Sequence, residues 1–106
     1  MEYKFNKESR YVTRGINADV PLEIQLFIWS CIDELISSSI QTDYLQVFRF
    51  KLEKSGKLSI THTQENPEFK KVIEIEMKEE YFSLNGLTVF VIDDKTHSTA
   101  LLSNEY

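Results

Sequence analysis

Residues 21–37 constrain the fold more than any other stretch, because they alone are long and apolar enough for a helix of about four to five turns. Pro21 suits the first turn, where its missing N–H is not needed. Asp19 stands where it can cap the free N–H groups, and Glu23 adds negative charge near the positive end of the helix dipole. At 100° per residue, Leu22, Trp29, Ile32 and Ile36 fall on one stripe, and Ile24, Ile28, Cys31 and Leu35 fall beside it. Glu23, Ser30, Glu34 and Ser37 form a narrow polar arc. A helix apolar around more than half its circumference needs a second cover, from loops or from another subunit. Trp29 is expected at the centre of the buried side.

The rest of the chain reads as strands. Residues 10–14 are β-prone and end at Gly15; residues 16–20 lead into the helix. Residues 43–53 alternate, with Phe48, Phe50 and Leu52 inward. Gly56 supplies a hairpin turn, and residues 58–64 return with Leu58, Ile60 and His62 on one face. Pro67 interrupts the chain, and residues 69–77 alternate again. Asn85-Gly86 between two apolar runs predicts a type I′ hairpin joining residues 81–84 to residues 87–93. Residues 87–92 are apolar on both faces, which suits a central strand covered on both sides. Residues 98–103 form the last strand. The expected fold class is α+β, with one main α-helix packed on a largely antiparallel β-sheet of five to six strands. Residues 1–9 read as a flexible leader and residues 10–106 as a single α+β domain.

Composition narrows function by exclusion. With 42% hydrophobic residues in 106, the chain can bury a core without disulfides, and its one cysteine permits no internal bridge. No signal peptide or membrane helix is apparent, so a cytoplasmic protein is expected, with no membrane partner. Residues 1–73 carry no net charge, and residues 74–106 carry the whole −5. Nucleic-acid binders show a basic stripe instead, so nucleic acid is not expected as a partner. No phosphate-binding loop, dinucleotide turn or serine elbow occurs, and no cofactor is expected.

Several stretches in one order resemble a known family. They are residues 10–16, 21–29 and 43–48, then His62 to Phe69, Val89 to Asp94, and Ser98 through Leu102 to Tyr106. Together they look like the bacterial family catalogued as domain of unknown function 960. The resemblance implies a small intracellular bacterial protein and carries no activity, substrate or catalytic residue. The chain departs from the family pattern with Lys95 in place of a glycine after Asp94, and with Phe69 in place of a tyrosine.

Two groupings could carry chemistry. Cys31 is the only thiol, but it lies on the apolar arc beyond the helix N-terminus, which suits a core cysteine better than a nucleophile. Asp93, Asp94 and His97 share a turn that His62 and Glu65 could approach, and carboxylates with imidazole can hold a divalent metal. Their spacing matches no ligand motif, and a solvated turn in which an aspartate bonds its own backbone is the simpler reading. No catalytic, cofactor-binding or metal residue is therefore assigned. The expected function is a non-enzymatic protein–protein interaction module, with a homodimer as one form. The alternative is a small metal-dependent or acid–base enzyme using the Asp93/Asp94/His97 turn.

Overall fold

The computed structural model describes residues 3–106. Six strands form one sheet: β1 (Arg10–Val12), β2 (Leu45–Leu52), β3 (Leu58–Gln64), β4 (Phe69–Ile75), β5 (Thr88–Asp93) and β6 (Ser98–Leu102). Their order is β1-β6-β5-β2-β3-β4, antiparallel throughout except for the parallel β1–β6 pair. The main helix, α2 (Leu22–Ser37), covers one face. The α+β class with one main helix on a mostly antiparallel sheet is as the sequence led us to expect.

The helix turns differently from expectation. Ile24, Gln25, Ile28, Cys31, Ile32 and Leu35 are its buried residues, while Leu22 is 68% and Leu26 60% exposed. Trp29 is only half-buried, so the neighbouring stripe faces the sheet, joined by Ile32 alone from the stripe of Trp29. Asp19 does not cap α2. It closes a short preceding helix, α1 (Arg14–Asp19), and Pro21 occupies the cap position of α2 without a side-chain hydrogen bond. Gln25 joins the two helices, its Nε2 donating to the Val20 carbonyl at 2.9 Å.

The first strand also stops at Val12, and Arg14, expected in it, opens α1 instead. Thr13 Oγ1 accepts from the Ile16 N–H, capping α1, and donates to Glu105 at 2.7 Å. A Cβ on Gly15 would sit 2.6 Å from the Glu105 carboxylate, so a larger residue there would push that side chain off its bond to the Gly15 N–H.

Of the expected leader, residues 1 and 2 lie outside the described residues, and residues 3–9 touch the domain chiefly through Phe5. Phe5 is completely buried, its N–H donates to Asp93 Oδ2 at 3.0 Å, and its carbonyl accepts from Arg10 Nε. Its φ of +46° is a left-handed conformation rare for an aromatic residue. Burial of the ring offsets that strain. Arg10 continues the cover, stacking 4.9 Å from the Trp29 ring while its guanidinium pairs with Asp33.

The Asn85-Gly86 turn does not close a hairpin. Residues Glu79–Leu84 form a 3-10 helix, which puts Tyr81 and Leu84, three residues apart, inward together. Asn85 has φ −58° and ψ 122° and Gly86 has φ +83°, the dihedrals of a type II turn, closed by Leu87 N–H to Leu84 C=O at 2.9 Å. A type I′ hairpin needs positive φ at both residues. The turn is instead stitched to β2, where Asn85 Oδ1 accepts from the Leu52 N–H.

The open face of the sheet

Among the described residues, no α-helix covers the face of the sheet away from α2. The strand registers lay out its rows: Tyr11, Thr99, Ile92 and Leu45, then Leu101, Phe90, Val47, Thr63 and Lys70, then Thr88, Arg49, Thr61 and Val72. The centre is therefore apolar. β5 sits in the middle of the sheet as its two-sided pattern requires, yet its outward residues Phe90 and Ile92 are only half-buried. Tyr106 meets Phe90 edge-on at 5.6 Å and is itself 78% exposed.

Candidate functional site

Of the residues singled out for chemistry, Asp94 and His97 come together, with His97 Nδ1 3.4 Å from Asp94 Oδ2, but the others do not join them. His62 in β3 and Asp93 in β5 lie on the same sheet face with β2 between them, and Asp93 is four residues beyond the row of His62. Strand spacing and rise put them roughly 16 Å apart, too far to share one ion. Glu65 lies in the exposed turn after β3, away from the aspartates. Among the described residues, no three His, Cys, Asp or Glu side chains are grouped to hold a metal.

Each aspartate is used by the backbone. Asp93 Oδ1 accepts from the Lys95 N–H at 2.9 Å, and its other oxygen holds Phe5. Asp94 Oδ1 accepts from Thr96 Oγ1 and from the N–H groups of Thr96 and His97. These bonds, the Thr96 hydroxyl first, pull the Asp94 pKa down to about 2. The Asp94–His97 turn is thus a carboxylate-capped loop. Lys95 within it has φ +80°, the region glycine occupies most easily, which gives a physical reason for glycine at this position.

A different cluster does come together, at the C-terminal half of α2. Cys31, Leu35, Ile40, His62 and Phe69 line a cavity of about 100 Å³, and the exposed Glu34–Lys71 ion pair stands at its rim. The Cys31 thiol is pushed up to about 11, by burial first and by Glu34 second, so it stays protonated at neutral pH. Its place is in the cavity wall.

His62 is the end of a chain of oriented side-chain amides. Gln64 Nε2 donates to the carbonyls of Gln41 and Pro67, which turns its Oε1 toward Gln46 Nε2 at 2.8 Å. Gln46 Nε2 also donates to the Asp43 carbonyl, so Gln46 Oε1 is the atom 2.6 Å from His62 Nε2. An acceptor there requires Nε2 to carry the proton and leaves Nδ1 with a lone pair. The ring stacks on Phe48 at 4.3 Å between centroids. Burial, aided by Lys71, lowers the His62 pKa to about 4, so the ring is neutral at physiological pH. The alternation of residues 58–64 placed His62 inward; the relay of Gln46 and Gln64 had no sequence signal beyond polar residues at inward positions.

No helix among the described residues is long and apolar enough to cross a membrane. No curated protein matches the chain. A crystal structure of a protein of unknown function from Enterococcus faecalis has a similar fold, with a TM-score of 0.79 and 28% identity, covering 100% of this chain and 98% of that one. The sequence profile of the staphylococcal proteins of unknown function, domain of unknown function 960, matches residues 9–105, and the chain belongs to that family.

Proposed function

We propose that this protein is a non-enzymatic interaction module of the cytoplasm that pairs with a second copy of itself through the open face of its sheet. The observation that carries this reading is the apolar centre of that face. Leu45, Phe90, Ile92 and Leu101 would be polar if the face were written for water, as antiparallel sheets with one solvated side are. Six strands at about 4.8 Å spacing and about five residues deep give a face of roughly 480 Å² in projection. Side-chain relief brings its accessible area toward the ~800 Å² per partner of a specific interface.

Charge favours a second copy in one orientation. Arg49, Lys51 and Lys70, outnumbering Glu74, make the β2–β4 flank of the open face net basic, while Tyr11 and Tyr106 lie on the β1–β6 flank. A two-fold axis parallel to the strands lays each basic flank over the partner's tyrosines, where cations meet ring faces instead of each other. The competing surfaces are poorer. The exposed side of α2 is interrupted by Arg10 over Trp29 and by Asp33, and edge strand β4 carries Lys70, Lys71 and Glu74, charges that oppose edge pairing.

Sedimentation equilibrium on the full chain is the test. The wild type is expected to be a dimer, and Phe90→Glu a monomer with an unchanged far-UV spectrum. Ile92→Lys serves if Phe90→Glu does not fold. A wild type that stays monomeric at its highest soluble concentration refutes the pairing.

A further inference from the structure

We infer that the cavity beside α2 is a binding site for a small neutral molecule with a compact apolar body and a single N–H or O–H donor, which His62 Nδ1 accepts. This does not rest on pairing through the sheet, which uses the opposite face.

Two independent observations carry it. The first is space: a cavity of about 100 Å³ with apolar walls from Leu35, Ile40 and Phe69 is comparable with the ~150 Å³ engineered cavity that binds benzene, and suits roughly five heavy atoms. The second is an acceptor waiting in it. His62 is 1% exposed, its Nε2 is taken by Gln46, and no described residue bonds to Nδ1. Ser98 Oγ is the one sealed side-chain polar atom without a partner among the described residues. Nδ1 therefore is not sealed, and it opens onto the cavity that its ring lines.

The chemistry selects the ligand. The amide relay through Gln64 and Gln46 fixes the tautomer, so the open nitrogen offers a lone pair and no proton. A ligand that only accepts hydrogen bonds gains nothing there. The ring is neutral at physiological pH, and the Glu34–Lys71 pair at the rim is already mutually satisfied, so no net charge calls for a charged ligand. Burying a neutral donor against an oriented neutral acceptor is the match that leaves nothing unpaired.

Pyrrole and furan separate the two contributions, because they share a shape and only pyrrole donates. Each is titrated into the ¹⁵N-labelled protein at neutral pH while the histidine ring nitrogens are followed by long-range ¹H–¹⁵N correlation. Pyrrole is expected to move the His62 Nδ1 resonance in a saturable way and to bind about tenfold or more tighter than furan, the worth of one such hydrogen bond. Ile40→Trp, which fills the half-exposed rim, is expected to abolish the shift, with Ser38→Phe in reserve if that variant unfolds. A His62 resonance unmoved by saturating pyrrole, furan binding as well as pyrrole, or binding that survives a filled and folded rim overturns the inference.

Discussion

Acidification should unfold this protein through one ring. His62 titrates at about 6.5 in the unfolded chain and at about 4 in the fold, because burial beside Lys71 opposes the imidazolium. Between those values the unfolded state binds the extra proton and the folded state does not. The His62 contribution is therefore complete above about pH 6.5, falls as the pH drops, and is gone below about 4, where the loss of the Asp94 carboxylate takes over. A shift of about 2.5 units at 1.36 kcal/mol each corresponds to about 3 kcal/mol, a large part of the stability of a small domain. At roughly 4 °C per kcal/mol for a chain of this size, the melting temperature should drop by about 12 °C across the window. Urea unfolding at half-unit steps from pH 7.5 to 4.5 measures it. His62→Gln is the control: its amide can still donate to Gln46 Oε1 but does not titrate. The difference between the two proteins should grow steadily on the acid side. Parallel curves for the two, or a wild type flat over the window, would refute the buried neutral histidine.

Three further outcomes are expected. Phe5→Ala should cost about 3–5 kcal/mol in a thermal melt, since Phe5 is fully buried; a loss below about 1 kcal/mol would return residues 3–9 to a loose leader. Ile28→Ala, at a position only 1% exposed on the other stripe, should cost about 2–5 kcal/mol and exceed Trp29→Ala in the same assay, with the reverse order refuting the orientation of α2. Lys95→Gly should be neutral or stabilising by up to about 1 kcal/mol, because it relieves the left-handed backbone, whereas Lys95→Ala keeps that strain and loses the contact with Tyr3. Lys95→Ala proving the more stable of the two would contradict this.

What the sequence disclosed depended on whether the signal was local. Residues 58–64 alternate cleanly and are a strand over those residues, and the apolar density of residues 21–37 marked α2 to within one residue. The rotation of α2 was not legible. Two adjacent apolar stripes compete on it, and Trp29 of the losing one is covered by Arg10, a residue outside the helix. Phe5 gave no warning, because one aromatic among polar residues has no period and its anchor, Asp93, is 88 residues away. Asn85-Gly86 misled because the dipeptide suits both type I′ and type II turns. The three-residue spacing of Tyr81 and Leu84 was the overlooked evidence against a strand. The cavity could not be read at all, since α2, β3 and β4 each contribute walls that meet only in the fold.

The parallel seam between β1 and β6 bears on how the protein is made. Strand β1 can hydrogen-bond only to residues 98–100, Phe5 is held by Asp93, and Thr13 and Gly15 are clasped by Glu105. During synthesis α2 and the β2–β3–β4 meander would be in hand while residues 3–16 still lacked Asp93, β6 and Glu105 to settle on. That early segment is thus seated late.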